Sequence, residues 1–233
     1  RRSFLKGAAA AGAAVAAGTK VAAAADTVAE KVKAAPKLQS ETFITRPGSD
    51  FMTDVLKKVG LQYVAINPAA GFRSLHESIV NYGGNKSPEI LTCLHEESAA
   101  GVAHGYAKAE GKPMGVMLHG TVGLQHGSMA LYNAWCDRAP MFVLGATGPV
   151  DASLRRPWID WIHTSADQAG IIRDFIKWDN QPSSADALVE AMARANIMTR
   201  SEPKAPVYIC LDAGLQESTL EKQPEWPDLN RLK

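Results

Sequence analysis

The chain has 233 residues, 46% hydrophobic and 21% charged, which is ordinary globular composition and not that of a disordered or fibrous chain. Its 25 basic and 24 acidic side chains give a net charge of +1, so no basic surplus speaks for nucleic acid and no acidic tail is present. Three cysteines (Cys93, Cys136, Cys210) without a CxxC or Cys/His cluster exclude a disulfide scaffold and a zinc module, and no apolar run after residue 30 reaches the roughly 20 residues of a stable membrane span.

Residues 1–25 begin RRSFLKG and continue as an Ala/Gly/Val run. This charged, apolar, small-residue order is that of an export signal, and Arg1-Arg2 before Ser-Phe-Leu-Lys resembles the twin-arginine class. A small-x-small site at Ala23–Ala25 would be cut before Asp26. The reading predicts twin-arginine export, to the periplasm if the source is Gram-negative; an Ala-rich helix of the mature protein is the alternative. Residues 26–40 read as a linker. Phe51, Val55, Leu56 and Val59 then form one apolar stripe and predict a helix over 50–59 closed by Gly60. Tyr63–Ile66 is a strand, 67–71 a turn, 72–81 a second helix and Ile90–Leu94 a strand. Helix 96–110 is closed by Gly111, strand 114–118 follows, and helix 122–135 carries Gly123 and Gly127, which permit close packing. Met141–Ala146 is an apolar strand, 149–165 an irregular aromatic loop, 185–199 a helix and 206–211 a last strand. Cys93 and Cys210 lie in apolar runs and read as buried, inert thiols.

Strands written as near-continuous apolar runs between helices indicate a parallel sheet covered on both faces. The fold class expected is α/β: a doubly wound, mainly parallel six-stranded sheet with helices on both faces, spanning 41–215, with 216–233 an interdomain linker. Ligands of such sheets sit beyond the carboxyl ends of the strands. There the sequence places Asn67-Pro68, His95-Glu96 and His119-Gly120-Thr121. Glu96 shares a helix face with Ala100, Ala103 and Ala107, a stripe that lets another backbone come close, whereas Glu97, Gly101, His104 and Lys108 form a wet face. A carboxylate at a helix N-terminus is also favoured by the macrodipole alone. A nucleotide-binding domain is disfavoured, since neither GxGxxG nor GxxxxGK[ST] occurs.

The segments LHEESAAGVAHGYAKAEGKP and LHGTVGLQHGSMALYNAW, followed by the apolar strand ending Val-Leu-Gly-Ala, resemble the pyrimidine-binding domain of thiamine diphosphate enzymes, closest to the benzoylformate decarboxylase and acetolactate synthase group. The resemblance runs from about residue 41 to 215. It implies that Glu96 contacts the N1′ nitrogen of the cofactor's aminopyrimidine, a carboxyl raised in pKa by an apolar site and able to share a proton with the ring. It implies that His119 handles protons, as the histidine in this place does in the benzoylformate decarboxylase branch. Gly120 and Thr121 would line the ring or its substrate, and His126 would stand at the edge of the site. Asn67 and Pro68 match the Asn-Pro-Gly-Ser turn of benzoylformate decarboxylase and would pack beside the cofactor; Ala69 and Ala70 replace its glycine and serine, which weakens a claim for benzoylformate itself. Arg155–His163 would cover an entrance, meet a partner or simply pack at the surface.

Thiamine diphosphate and Mg²⁺ are the implied cofactors and a 2-keto acid the implied substrate, for decarboxylation or carboligation. Relatives hold the diphosphate and metal on a second domain marked by Gly-Asp-Gly, which this sequence lacks, so no metal ligand is assigned. The expectation is a fragment or a subunit, inactive alone, completed as at least a homodimer or by a separate diphosphate-binding subunit. A non-catalytic exported module that binds thiamine or another heterocycle is the alternative.

Overall fold

The structure, a computed structural model, describes residues 46–156 and 158–228. The expected export signal over 1–25 and the expected linker over 26–40 lie outside them. Six strands form one sheet: β1 (Tyr63–Ile66), β2 (Glu89–Thr92), β3 (Met114–Leu118), β4 (Met141–Thr147), β5 (Trp178–Asn180) and β6 (Pro206–Asp212), in the order β2-β1-β3-β4-β6-β5. All five pairings are parallel. The helices are α1 (Gly48–Lys58), α2 (Arg73–Glu77), α3 (Glu96–Glu110), α4 (Thr121–Cys136), the short α5 (Ile159–Ile162), α6 (Ala185–Arg200) and α7 (Ala213–Glu217). Among the described residues no helix is long and apolar enough to cross a membrane.

Strand alternation divides the core in two. Val64, Ile66, Met117, Phe142, Leu144 and Ile209 point to one face and pack with α1, α2 and α6. Ala65, Met114, Val116, Leu118, Val143 and Tyr208 point to the other and pack with α3 and α4. The expected alanine stripe, Ala100, Ala103 and Ala107, is buried there, and Ala99 is buried beside it. The chain winds outward from β1 to β2, then returns to β3 and winds the other way. The carboxyl ends of β1 and β3 therefore flank the topological switch point, where open α/β sheets bind ligands.

Several expectations need correction. The helix expected over 72–81 is three pieces: a 3₁₀ turn at Ala70–Phe72, α2, and a π turn at Ser78–Tyr82. The wide turn begins at Ser78, whose hydroxyl donates to Ser49 Oγ (2.8 Å) or Asp50 Oδ1 (2.7 Å) of α1. β2 stops at Thr92. Beyond it the Cys93 N–H returns to the Ile66 carbonyl at 2.7 Å, and Leu94 swings out until it is 97% exposed. Cys93 is consequently half-buried, while Cys210 is buried as expected. The strand Trp178–Asn180, unassigned in the sequence, forms the far edge beside β6.

The stretch 149–165 is more ordered than an irregular loop. It contains a 3₁₀ turn at Ala152–Leu154 and α5. Gln168 ties it to the sheet. That side chain is 2% exposed, and its Nε2 donates to the Ala146 carbonyl at 3.0 Å and the Tyr208 hydroxyl at 2.8 Å. Gln168→Ala would strand two buried acceptors and is expected to cost about 1–3 kcal/mol, read as a lower urea midpoint at unchanged slope.

Candidate functional site

The site is built where α3, β3 and the segment before Gln168 meet. His95, in extended conformation (φ −153°), caps α3, its Nδ1 accepting the Glu97 N–H at 3.1 Å. The next residue, Glu96, starts the helix. A helical side chain tilts toward the N-terminus, which carries the Glu96 carboxyl toward α4. It is 7% exposed, and among the described residues it accepts no hydrogen bond and forms no ion pair. Its neighbour is Gly123: a Cβ there would stand 2.9 Å from Glu96 Oε1 and 2.8 Å from His119 Cβ. Only a glycine lets α4 lie this close to both side chains.

His119 directly follows β3 and is half-buried. Its Nδ1 is sealed from solvent without a hydrogen-bond partner. Burial pushes its imidazole below the ordinary pKa, and the facing ring of His163 pushes the same way; the Glu96 carboxylate opposes both. The two imidazole centroids are 4.9 Å apart, inclined at 44°. His163 Nδ1 lies 2.8 Å from the Ile159 carbonyl. A carbonyl only accepts, so Nδ1 carries a proton, and in the neutral ring Nε2 holds the lone pair. The His163 carbonyl accepts from the Thr121 N–H and hydroxyl, both at 3.3 Å. It also stands 2.5 Å from where a Cβ at Gly120 would lie, so the turn entering α4 needs glycine for this approach.

Ala70, Gly71, His119, Gly120, Arg156 and His163 surround a cavity of about 20 Å³, room for one water molecule. Asp160, 6% exposed, fixes the segment above it. Its carboxylate accepts the Arg156 backbone N–H (2.7 Å) and guanidinium Nη2 (2.7 Å), and that cation holds it below the ordinary carboxylate pKa. Trp158, between these partners, has φ 54° and ψ −43°, a sparsely populated backbone conformation that costs a side-chain-bearing residue about 1–3 kcal/mol.

Of the residues singled out in the sequence, Glu96, His119, Gly120 and Thr121 come together. Asn67 is half-buried and Pro68 exposed; Ala70 and Gly71 of their turn, not they, reach the cavity. His126 is exposed on α4 and stacks edge-on against His95 at 5.0 Å, outside the cavity. The aromatic segment 155–163 covers its own strand ends, and His163, Arg156 and Asp160 were not assigned to the site from sequence. The Arg156–Asp160 spacing of four was the available signal. Among the described residues no group of three His, Cys, Asp or Glu side chains could hold a metal ion.

A sequence profile described as thiamine pyrophosphate enzyme, N-terminal TPP binding domain, matches residues 46–171. The benzoylformate decarboxylase of Pseudomonas aeruginosa is 30% identical over 118 residues, 51% of this chain and 22% of that protein. The acetolactate synthase large subunit of Lactococcus lactis is 26% identical over 175 residues, 75% of this chain and 28% of that protein. The chain thus spans about a quarter of the length of these curated relatives. The crystal structure of benzoylformate decarboxylase from Polynucleobacter necessarius superposes with a TM-score of 0.68 at 20% identity, over 79% of this chain and 33% of that one, a likeness of fold.

Because His119 binds a proton less readily in the folded chain, the unfolded chain takes up that proton first as pH falls. Its contribution to stability is therefore complete above about pH 6.5 and lost on acidification. Urea titrations should show wild type losing more stability than His119→Asn between about pH 7 and 5.

Proposed function

Because the chain belongs to the thiamine pyrophosphate enzyme family as its N-terminal TPP-binding domain, we propose that it holds the aminopyrimidine of thiamine diphosphate through Glu96 and serves decarboxylation or carboligation of 2-keto acids. The observation that carries the reading is the Glu96 carboxyl, 7% exposed and without a hydrogen-bond or ion-pair partner among the described residues. A largely buried carboxyl without a protein partner leaves its oxygens to water or to a ligand. The site fits the cofactor in one further respect: beside the carboxyl, His119 carries a buried ring nitrogen with no hydrogen-bond partner.

When bound, the cofactor supplies the electron sink for cleaving the bond next to a keto carbonyl. Glu96 contributes a proton shared with a ring nitrogen. His119, whose burial favours the neutral imidazole, can accept or deliver a proton near neutral pH. Release of an aldehyde needs such a donor, so His119 favours decarboxylation over carboligation. Thr121 and Gly120 fix the turn that carries it. The diphosphate and Mg²⁺ fall to a second domain of the same or another chain. The outward faces of α3 and α4, with Val102, Val122, Met129 and Tyr132 exposed, are the surface we assign to that contact, in at least a dimer. Arg1-Arg2 leads us to propose twin-arginine export, which replacing both by Lys should abolish in cell fractionation.

Thiamine diphosphate titrated into ¹⁵N-labelled chain is expected to give saturable amide shifts at Glu96, His119 and residues 120–124. Glu96→Gln is expected to weaken binding about tenfold or more, the worth of a charge-assisted hydrogen bond, with the fold retained. Saturable binding unaffected by Glu96→Gln, or shifts confined to other surfaces, would contradict the assignment. Binding without 2-keto acid turnover when the diphosphate-binding half is supplied would identify a non-catalytic module.

A further inference from the structure

We propose that His163 is a working partner of His119, the two imidazoles forming one unit at the end of β3 that carries a single proton between them. The segment bearing His163 is held to the strand ends independently of its ring. Its backbone carbonyl takes both Thr121 donors, Asp160 clamps Arg156, and Gln168 anchors the following residues to Ala146 and Tyr208. An imidazole is not required for any of these. Yet the ring is oriented: the Ile159 carbonyl takes the Nδ1 proton, and Nε2 keeps a lone pair with no hydrogen-bond partner among the described residues. It lines the same cavity as His119, whose own Nδ1 is sealed and unpartnered.

Two facing imidazoles at this distance disfavour double protonation, as like charges in a shared site do. The other charged groups around them are few. Glu96 faces His119 from α3, and Asp160, already paired with Arg156, faces His163 from within its own segment. The remaining lining residues, among them Ala146, Thr147, Gly148 and Ala213, carry no ionisable side chain. Glu96 thus favours one imidazolium while the second ring opposes a second. His163 thereby acts on proton transfer through His119 as a positioning residue. What that proton serves rests on the function proposed above; the pairing does not.

The test uses histidine ring resonances of the full chain, titrated without cofactor. In wild type both rings are expected to sense two titration steps. His163→Asn places an amide donor where Nδ1 was, so the bond to Ile159 is kept while the titrating ring is lost. In this variant His119 should titrate in one step, at a higher midpoint than in wild type. The Thr121 amide shift reports whether the segment stays docked. Independent single-step curves for the two rings in wild type would overturn the pairing, as would an unmoved His119 midpoint in a docked His163→Asn chain. Failure of the chain to bind thiamine diphosphate would overturn the function above and leave this result standing.

Discussion

Helix α4 approaches α3 so closely at Gly123 that the Glu96 carboxyl and the His119 side chain both rest against its backbone. Most of the site depends on this contact. The alanine stripe Ala99, Ala100, Ala103, Ala107 lowers α3 onto the sheet and toward α4, and the lowered helix brings its first residue below the surface. A larger residue at Gly123 would lift the helix or expel the carboxyl. Glu96 meets no hydrogen-bond partner among the described residues there, and its oxygens are left to water or to a ligand that can share a proton.

The second constraint is the segment closing over the ends of β3 and β4. Gly120 admits the His163 carbonyl, the Arg156–Asp160 pair stiffens the turn, and Gln168 fastens the far end beneath β4 and β6. The positive φ of Trp158 in this segment is tolerated because the contacts on either side determine it. The result is a sheet edge at which two imidazoles line one small cavity, with the Glu96 carboxyl beside His119.

Much of this was legible in the sequence because its determinants are local. Helix α3 runs from Glu96 to Glu110 as expected: His95 caps it, and Gly111, at φ 66°, ends it. β3 likewise begins and ends as read, since a buried parallel strand is a continuous apolar run. The meeting of Glu96 with His119 followed from both lying at strand ends of one sheet. What escaped was fixed at long range. β5 is three half-buried residues, Trp-Asp-Asn, of which Asp and Asn disfavour strands, and it is held by β6 alone. His163 reaches the site through bonds to Thr121, 42 positions away, and through Gln168, whose partners lie 22 and 40 positions off. No periodicity within the segment announces such contacts. The exposed placement of His126 follows from helix phase, since Gly123, Leu124 and Gly127 take the buried side of α4.

The central claim is that Glu96 shares a proton with the pyrimidine ring of thiamine diphosphate. The most direct measurement is the ¹⁵N resonance of N1′ in labelled thiamine diphosphate, free and bound to the chain. The account predicts that binding to wild type moves this resonance toward its protonated position at neutral pH, and that Glu96→Gln, with the cofactor bound at saturating concentration, leaves it where it is in free solution. An equal displacement in both proteins, or none in wild type at saturation, would contradict it.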